Sequence, residues 1–212
     1  MAIIENGANG GFTGKVGSVT GYYANGKWII RGLRKLSAKN KKGTAKQQAC
    51  RARFAKMQEF LAPITYFIRI GFNMESKKRM MTAHNAAKSY NMLNAQEPDG
   101  TIVYSNVCLS YGSLIGVEGL EVQVTNNALH FSWIDNTNSD HIRSFDQVML
   151  LAYDVNTKIT HVEIAGAKRK KCAETLPIPG LNKGASYHTW ISFISNDRLH
   201  ISMSTYCGLY TF

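Results

Sequence analysis

Acidic residues are scarce where this chain begins. The first 88 residues hold only Glu5, Glu59 and Glu75 as acids, against 17 lysines and arginines, a balance of +14. Residues 89–212 carry eight basic and eleven acidic residues, a balance of −3, so the net charge of +11 comes from the first segment. A stretch that repels itself this strongly calls for an anion outside it: nucleic acid, an acidic partner or a membrane surface. Long apolar runs are missing as well. The best, Ile64 to Phe72, is short and contains Arg69, far below the ~20 residues of a membrane helix, so no membrane span is expected. The start Met-Ala-Ile-Ile-Glu-Asn-Gly lacks the basic residues and apolar run of a signal peptide. Cytoplasmic synthesis and residence are expected, and release in a virion is also compatible.

Patterns for catalysis and metal binding are absent too. The cysteines at 50, 108, 172 and 207 form no C-x-x-C pair, and no histidine spacing completes a zinc site. They read as reduced thiols, mostly buried. The histidines at 84, 130, 141, 161, 188 and 200 show no H-E-x-x-H. Of these, His130, His188 and His200 sit on alternating strand positions and read as outward-facing. Ser110 and Ser113 lack the G-x-S-x-G elbow. Ser139-Asp140-His141 are neighbours in sequence, which is not the geometry of a triad. In Gly10-Gly11-Phe12-Thr13-Gly14-Lys15 three residues, not four, separate Gly10 from Gly14, and Val16 follows the lysine, so a phosphate loop is not formed. With no nucleophile, base and orienter in sight, the expectation is a non-enzymatic protein without catalytic residues, cofactor or metal.

What is present suffices for two cores: 44% apolar residues, with ten Tyr, nine Phe and three Trp. Glycine punctuates the start. Phe12 to Tyr23 and Trp28 to Arg31 are strand-like and meet at Ala24-Asn25-Gly26-Lys27, which predicts a β-hairpin over about 12–34. Two strands alone are marginal in water, so Tyr22, Tyr23, Trp28 and Ile30 need a surface, either the chain's own helices or a neighbouring copy. A basic linker follows, Arg34 to Gly43. Thr44 and Gln47 form a capping box ahead of a helix whose apolar stripe is Cys50, Phe54, Met57, Leu61, Ile64 and Ile68. Pro63 interrupts it and Gly71 closes it. A second helix is expected over about 76–95 with Met80, Ala83, Ala87, Tyr90 and Leu93 near one face. Pro98-Asp99-Gly100 is a turn, and Ile102 to Leu109 reads as a strand.

The basic run is the main candidate site: Arg31, Arg34, Lys35, Lys39, Lys41, Lys42, Lys46, Arg51, Arg53 and Lys56. It passes from an arm into a helix, as in segments that neutralise phosphates. No aromatic is interleaved in 35–53, so contacts would be to backbone and sequence-tolerant. An acidic protein subunit or a plain solvated surface would use the same charges. Lys168-Arg169-Lys170-Lys171 is a second cluster, read first as protection of a strand edge and second as another anion site.

From about residue 116 short strands alternate with turns: Leu120–Thr125, Ala128–Trp133, Gln147–Tyr153, Ile159–Ile164, Lys171–Leu176, Tyr187–Ser195 and Leu199–Met203, the pattern of a β-sandwich. Trp133 closing the alternation Leu129, Phe131, and Leu181-x-x-Gly184-x-x-Tyr187 as a tyrosine corner, resemble a fibronectin type III or immunoglobulin-like domain. Gly11-Phe12-Thr13-Gly14-Lys15-Val16-Gly17, Gly21-Tyr22, Asn25-Gly26-Lys27, Thr44-x-x-Gln47-x-x-x-Arg51-x-Arg53-Phe54, Gly71-Phe72 and Asn85-Ala86-Ala87-x-Ser89-Tyr90-Asn91 resemble an uncharacterised family common in Bacteroidota and their mobile elements, over about the first 115 residues. The expected fold is α+β: a basic hairpin-and-helix domain over 1–115, then an antiparallel β-sandwich over 116–212. The expected function is a structural component of an assembly, virion-like, that self-associates and turns its basic half to nucleic acid or an acidic neighbour. The alternative is a sequence-independent nucleic-acid-binding protein acting as a monomer or dimer.

Overall fold

The computed structural model describes residues 2–4, 10–24, 26–33, 43–137, 143–180 and 184–212. Its contacts divide the chain into two compact units, Met1–Gln48 and Ala49–Phe212.

In the first unit, β1 (Ala2–Ile4), β2 (Phe12–Val16), β3 (Val19–Ala24) and β4 (Lys27–Gly32) form one antiparallel sheet in that order. The expected hairpin is β3 with β4, closed at Gly26, whose φ of 75° suits glycine. Its first arm is not a single strand. Val16 and Val19 lie three apart and cannot share one period-two face, so the chain reverses at Gly17 (φ 53°) and the two valines pair across the turn. The capping box is present: the Gln47 amide donates to Thr44 Oγ1 at 3.3 Å, and the Thr44 amide donates to Gln47 Oε1 at 3.1 Å.

The helices are α1 (Ala45–Leu61), α2 (Thr65–Gly71), α3 (Asn73–Lys78) and α4 (Ala83–Asn94). Of the predicted stripe, Met57, Leu61, Ile64 and Ile68 are buried, but Cys50 and Phe54 are exposed. The single helix expected over 76–95 is two. Met80, at φ 53°, lies between them, and Thr82 caps α4 by accepting the Asn85 amide at 3.2 Å. The expected common face is therefore lost: Ala87 is buried, while Met80 is 63% and Leu93 82% exposed. Nor is Ile102 to Leu109 a strand. Tyr104–Asn106 is a 3-10 turn, and the Asn91 side chain serves the backbone of Cys108 at both ends, donating to its carbonyl and accepting from its amide, each at 2.8 Å. A side chain replaces the strand partner.

Seven strands follow: β5 (Glu121–Thr125), β6 (Ala128–Ser132), β7 (Gln147–Asp154), β8 (Thr160–Glu163), β9 (Ala173–Pro177), β10 (Ser186–Ile194) and β11 (Thr205–Thr211). They make a three-stranded sheet β5-β6-β9 and a four-stranded sheet β11-β10-β7-β8, with every named pair antiparallel. The predicted strands match except the last. Leu199–Met203 makes only isolated bridges, because the Ser202 hydroxyl takes the Phe193 amide at 2.9 Å, and β11 is the strand that pairs with β10. Leu129, Phe131 and Trp133 meet Val148, Leu150, Ile191 and Phe193 between the sheets. The other side of β7 and β10, with Met149, Leu151, Tyr153, Trp190 and Ile194, packs with Met57, Leu61, Phe67 and Ile68 of the helices. The chain is thus mixed α+β, with a sandwich backed by helices. The helices expected to join the hairpin in a unit ending at residue 115 share their core with the sandwich, and the division lies at Gln48/Ala49.

Candidate interaction surfaces

Register sorts the side chains of the N-terminal sheet, because directly opposed residues project to one side. Gly14, Gly21 and Ile30 form one row; Val16, Val19 and Gly32 another; Tyr23 pairs with Trp28. With Phe12 these make an apolar face. Its rings lie on glycines: a Cβ at Gly21 would stand 2.7 Å from the Phe12 ring, and one at Gly11 would strike the Trp28 indole. Tyr23 meets Trp28 edge-on at 5.1 Å. Nothing but Gly21 is buried among the described residues of β2 to β4, and Tyr23 and Ile30 are 57% and 62% exposed. The opposite face carries the row Lys15, Thr20, Arg31, then Tyr22 with Ile29, and Lys27. Two strand spacings put the Lys15 and Arg31 backbones about 10 Å apart. No acid lies on β2 to β4.

The aromatic cluster expected for assembly is therefore divided. Tyr23, Trp28 and Ile30 share the apolar face, and Tyr22 stands on the cationic one, as period two requires. Of the basic candidates, Arg34, Lys35, Lys39, Lys41 and Lys42 lie outside the described residues. Arg31, Lys46 and Arg51 are exposed. Arg53 and Lys56 are partly engaged by the chain itself. Arg53 Nη2 donates to the Met92 carbonyl at 3.4 Å, Gln96 donates to the Arg53 carbonyl at 3.0 Å, and Lys56 Nζ donates to the Asp99 carbonyl at 3.4 Å. Lys15 and Lys27 join the cationic face unanticipated. Strand alternation combined with the correct pairing was the signal that could have found them.

Residues 11–208 match the model of a family of unknown function, DUF6266. The chain belongs to that family. No curated protein matches it. Among solved structures, this DUF6266 chain is similar to the fn3 domain of the human collagen alpha-1(XX) chain, at 17% identity and a TM-score of 0.35, over 48% of this chain and 90% of that one.

Within Ala49–Phe212 of this DUF6266 member, several of the remaining sequence candidates are engaged in the fold. Lys168-Arg169-Lys170-Lys171 does not simply guard an edge: Arg169 is 1% exposed. Its guanidinium lies 3.6 Å from the Asp146 carboxylate and 3.8 Å over the Phe193 ring. It donates to Asn136 Oδ1 at 2.9 Å and to the carbonyls of Gly116 and Ile115 at 3.0 and 2.8 Å. Burial lowers its pKa and Asp146 opposes that shift. His188 is not outward-facing. It stacks on Tyr104 at 3.9 Å, its Nδ1 lies 2.7 Å from the Tyr206 hydroxyl, and burial depresses its pKa. The Ser195 hydroxyl donates to Asp197 at 2.5 Å and accepts the His200 backbone amide at 2.9 Å, so these groups build a turn. Ser139-Asp140-His141 lies outside the described residues. All four cysteines are free: Cys50 is exposed, Cys172 and Cys207 are half-buried, and burial pushes the Cys108 thiol up to about 11, away from the reactive thiolate. Sequence reasoning missed buried Lys88, whose amine donates to Gln58 and sits 4.2 Å over the Phe54 ring. A lysine on an amphipathic helix reads as surface, and no local signal says otherwise. Among the described residues no His, Cys, Asp and Glu group could hold a metal, and no helix is long and apolar enough to cross a membrane.

Proposed function

We propose that this chain is a non-enzymatic structural component of a macromolecular assembly, of the phage-like virion kind, whose N-terminal sheet makes the subunit contacts. The carrying observation is that sheet: apolar on one face, cationic on the other, with no buried side chain among its described residues in β2 to β4. An apolar face left in water is the mark of an interaction site. Phe12, Val16, Tyr23, Trp28 and Ile30 suit a second copy, because a two-fold contact covers the same face in both chains at once. The cationic face then turns to nucleic acid or an acidic neighbour, and the sandwich serves as an adhesive or display module. In this reading the chain is made in the cytoplasm and later resides in a particle. Light scattering on the purified chain tests it. Concentration-dependent oligomers that Ile30→Asp disperses are expected; a strict monomer at high concentration removes the proposal.

One observation favours a second reading, sequence-independent nucleic-acid binding by a monomer or dimer. Lys15 and Arg31 flank Thr20 on the face that also carries Lys27 and Tyr22. Each phosphate neutralised contributes about 0.9 to the slope of log affinity against log salt. Lys15→Gln with Arg31→Gln is expected to lower that slope on duplex DNA by about two such steps. Binding that ignores salt counts against it.

A further inference from the structure

A cleft of about 350 Å³ opens between α2, α3 and the four-stranded sheet, entirely within Ala49–Phe212. Ile70 and Met74 come from the helices, Ile164 follows β8, and Ile194 ends β10. Two guanidinium side chains, Arg69 and Arg198, with Asn73 and Ala165, complete the lining, and no acidic side chain belongs to it. An apolar cleft above about 300 Å³ with a few fixed polar groups is the ordinary construction of a small-ligand site.

Arg198 is the informative residue. Its amide donates to the Ser195 carbonyl at 2.9 Å in a tight reversal, and its φ is 60°. That left-handed position suits glycine or asparagine, so the turn itself does not call for arginine. The side chain is nevertheless fixed in place: Nη1 donates to the Ile164 carbonyl at 3.3 Å and Nη2 donates to Gln147. Those two bonds use two of the five guanidinium N–H groups. Arg69 is exposed in the last turn of α2. Both arginines are exposed at the edge of an apolar floor. The Glu163 carboxylate accepts the Ala165 amide at 2.9 Å beside the cleft but is not part of its lining, so the charged groups of the lining itself favour an anion. The planar guanidinium fork matches a carboxylate with two parallel hydrogen bonds.

We propose that this cleft binds a carboxylate carried on an aliphatic tail, a medium-chain alkanoate. Arg69 and Arg198 take the carboxylate; Ile70, Met74, Ile164 and Ile194 take the tail. The inference does not depend on how the N-terminal sheet is used.

Isothermal titration of the full chain with octanoate, octan-1-ol and acetate tests it. Saturable one-to-one binding of octanoate, with a Kd below about 1 mM, is expected. Octanol lacks the anion and acetate lacks the tail, so each binds at least about tenfold more weakly. Arg69→Ala and Arg198→Gly each weaken octanoate about tenfold or more, the size of one lost charge-assisted hydrogen bond. Glycine keeps the left-handed turn, and Arg69→Ala alters an exposed helical position, so at least one variant remains folded. Thermal unfolding of each variant verifies this. Equal binding of octanol and octanoate, unchanged octanoate affinity in a folded variant, or no saturable binding of octanoate overturns the proposal.

Discussion

Arg169 shows how far a residue's environment departs from its type. In sequence it is one cation of four; in the fold it spans Asp146, Asn136 and two carbonyls, over the face of the Phe193 ring. Arg169→Ala withdraws the guanidinium from a buried carboxylate, and such removals cost about 3–5 kcal/mol. Denaturant unfolding should register a loss of that size, with Arg169→Lys little better because an ammonium cannot reproduce the planar fork. Glycines at close backbone approaches are equally exacting. A Cβ at Gly71 would run into the Leu109 carbonyl and one at Gly112 into the Ile201 carbonyl, and neither backbone oxygen can swing aside. His188 sets a pH dependence. Its folded pKa lies below the usual ~6.5, so the unfolded chain binds the proton more readily. Stability from this group is complete above that usual value and is lost as pH falls through it toward the folded pKa. His84 and His161 are depressed by burial in the same direction. Melting temperature should fall between pH 7 and pH 5, and His188→Gln should flatten part of that fall.

One strand, β7, contributes to both cores of its unit. β7 is buried on both sides, Val148, Leu150 and Ala152 toward the three-stranded sheet and Met149, Leu151 and Tyr153 toward the helices. Alanine substitution should therefore be costly at adjacent positions: Leu150→Ala and Leu151→Ala are each expected to lose about 2–5 kcal/mol by chemical denaturation. A strand with one wet face would tolerate every second change. At the other extreme, α4 depends on its start. Thr82→Ala removes the acceptor of the Asn85 amide and should cost about 1 kcal/mol, read in the same assay.

For the molecule as a whole, stability should be unevenly distributed. The unit Ala49–Phe212 has cores on both sides of its four-stranded sheet, whereas β2 to β4 bury no side chain among their described residues. Backbone amides in β2 to β4 should exchange with deuterium well before those of β7 and β10. Self-association through the apolar face would slow the first set at high protein concentration and leave the second unchanged. Equal protection of both sets in dilute solution would mean that the sheet is covered by something within the chain.

Local chemistry was enough to place many elements. The capping box at Thr44 and Gln47, the break at Pro63, the turn at Gly26 and the alternation Leu129, Phe131, Trp133 depend on residues a few positions apart, and each is found where the chain writes it. The family kinship likewise rests on the residues themselves. What the residues alone could not decide depends on partners distant along the chain. Asn91 takes the place of a strand beside Cys108, β11 pairs with β10 where Leu199–Met203 does not, Arg169 enters the core, and helices claim the second side of β7. The cationic row of the N-terminal sheet likewise exists only once pairing brings Lys15 and Arg31 to either side of Thr20. Period and propensity are properties of a segment; burial and charge neighbourhood are properties of the packed chain, and only tertiary structure assigns them.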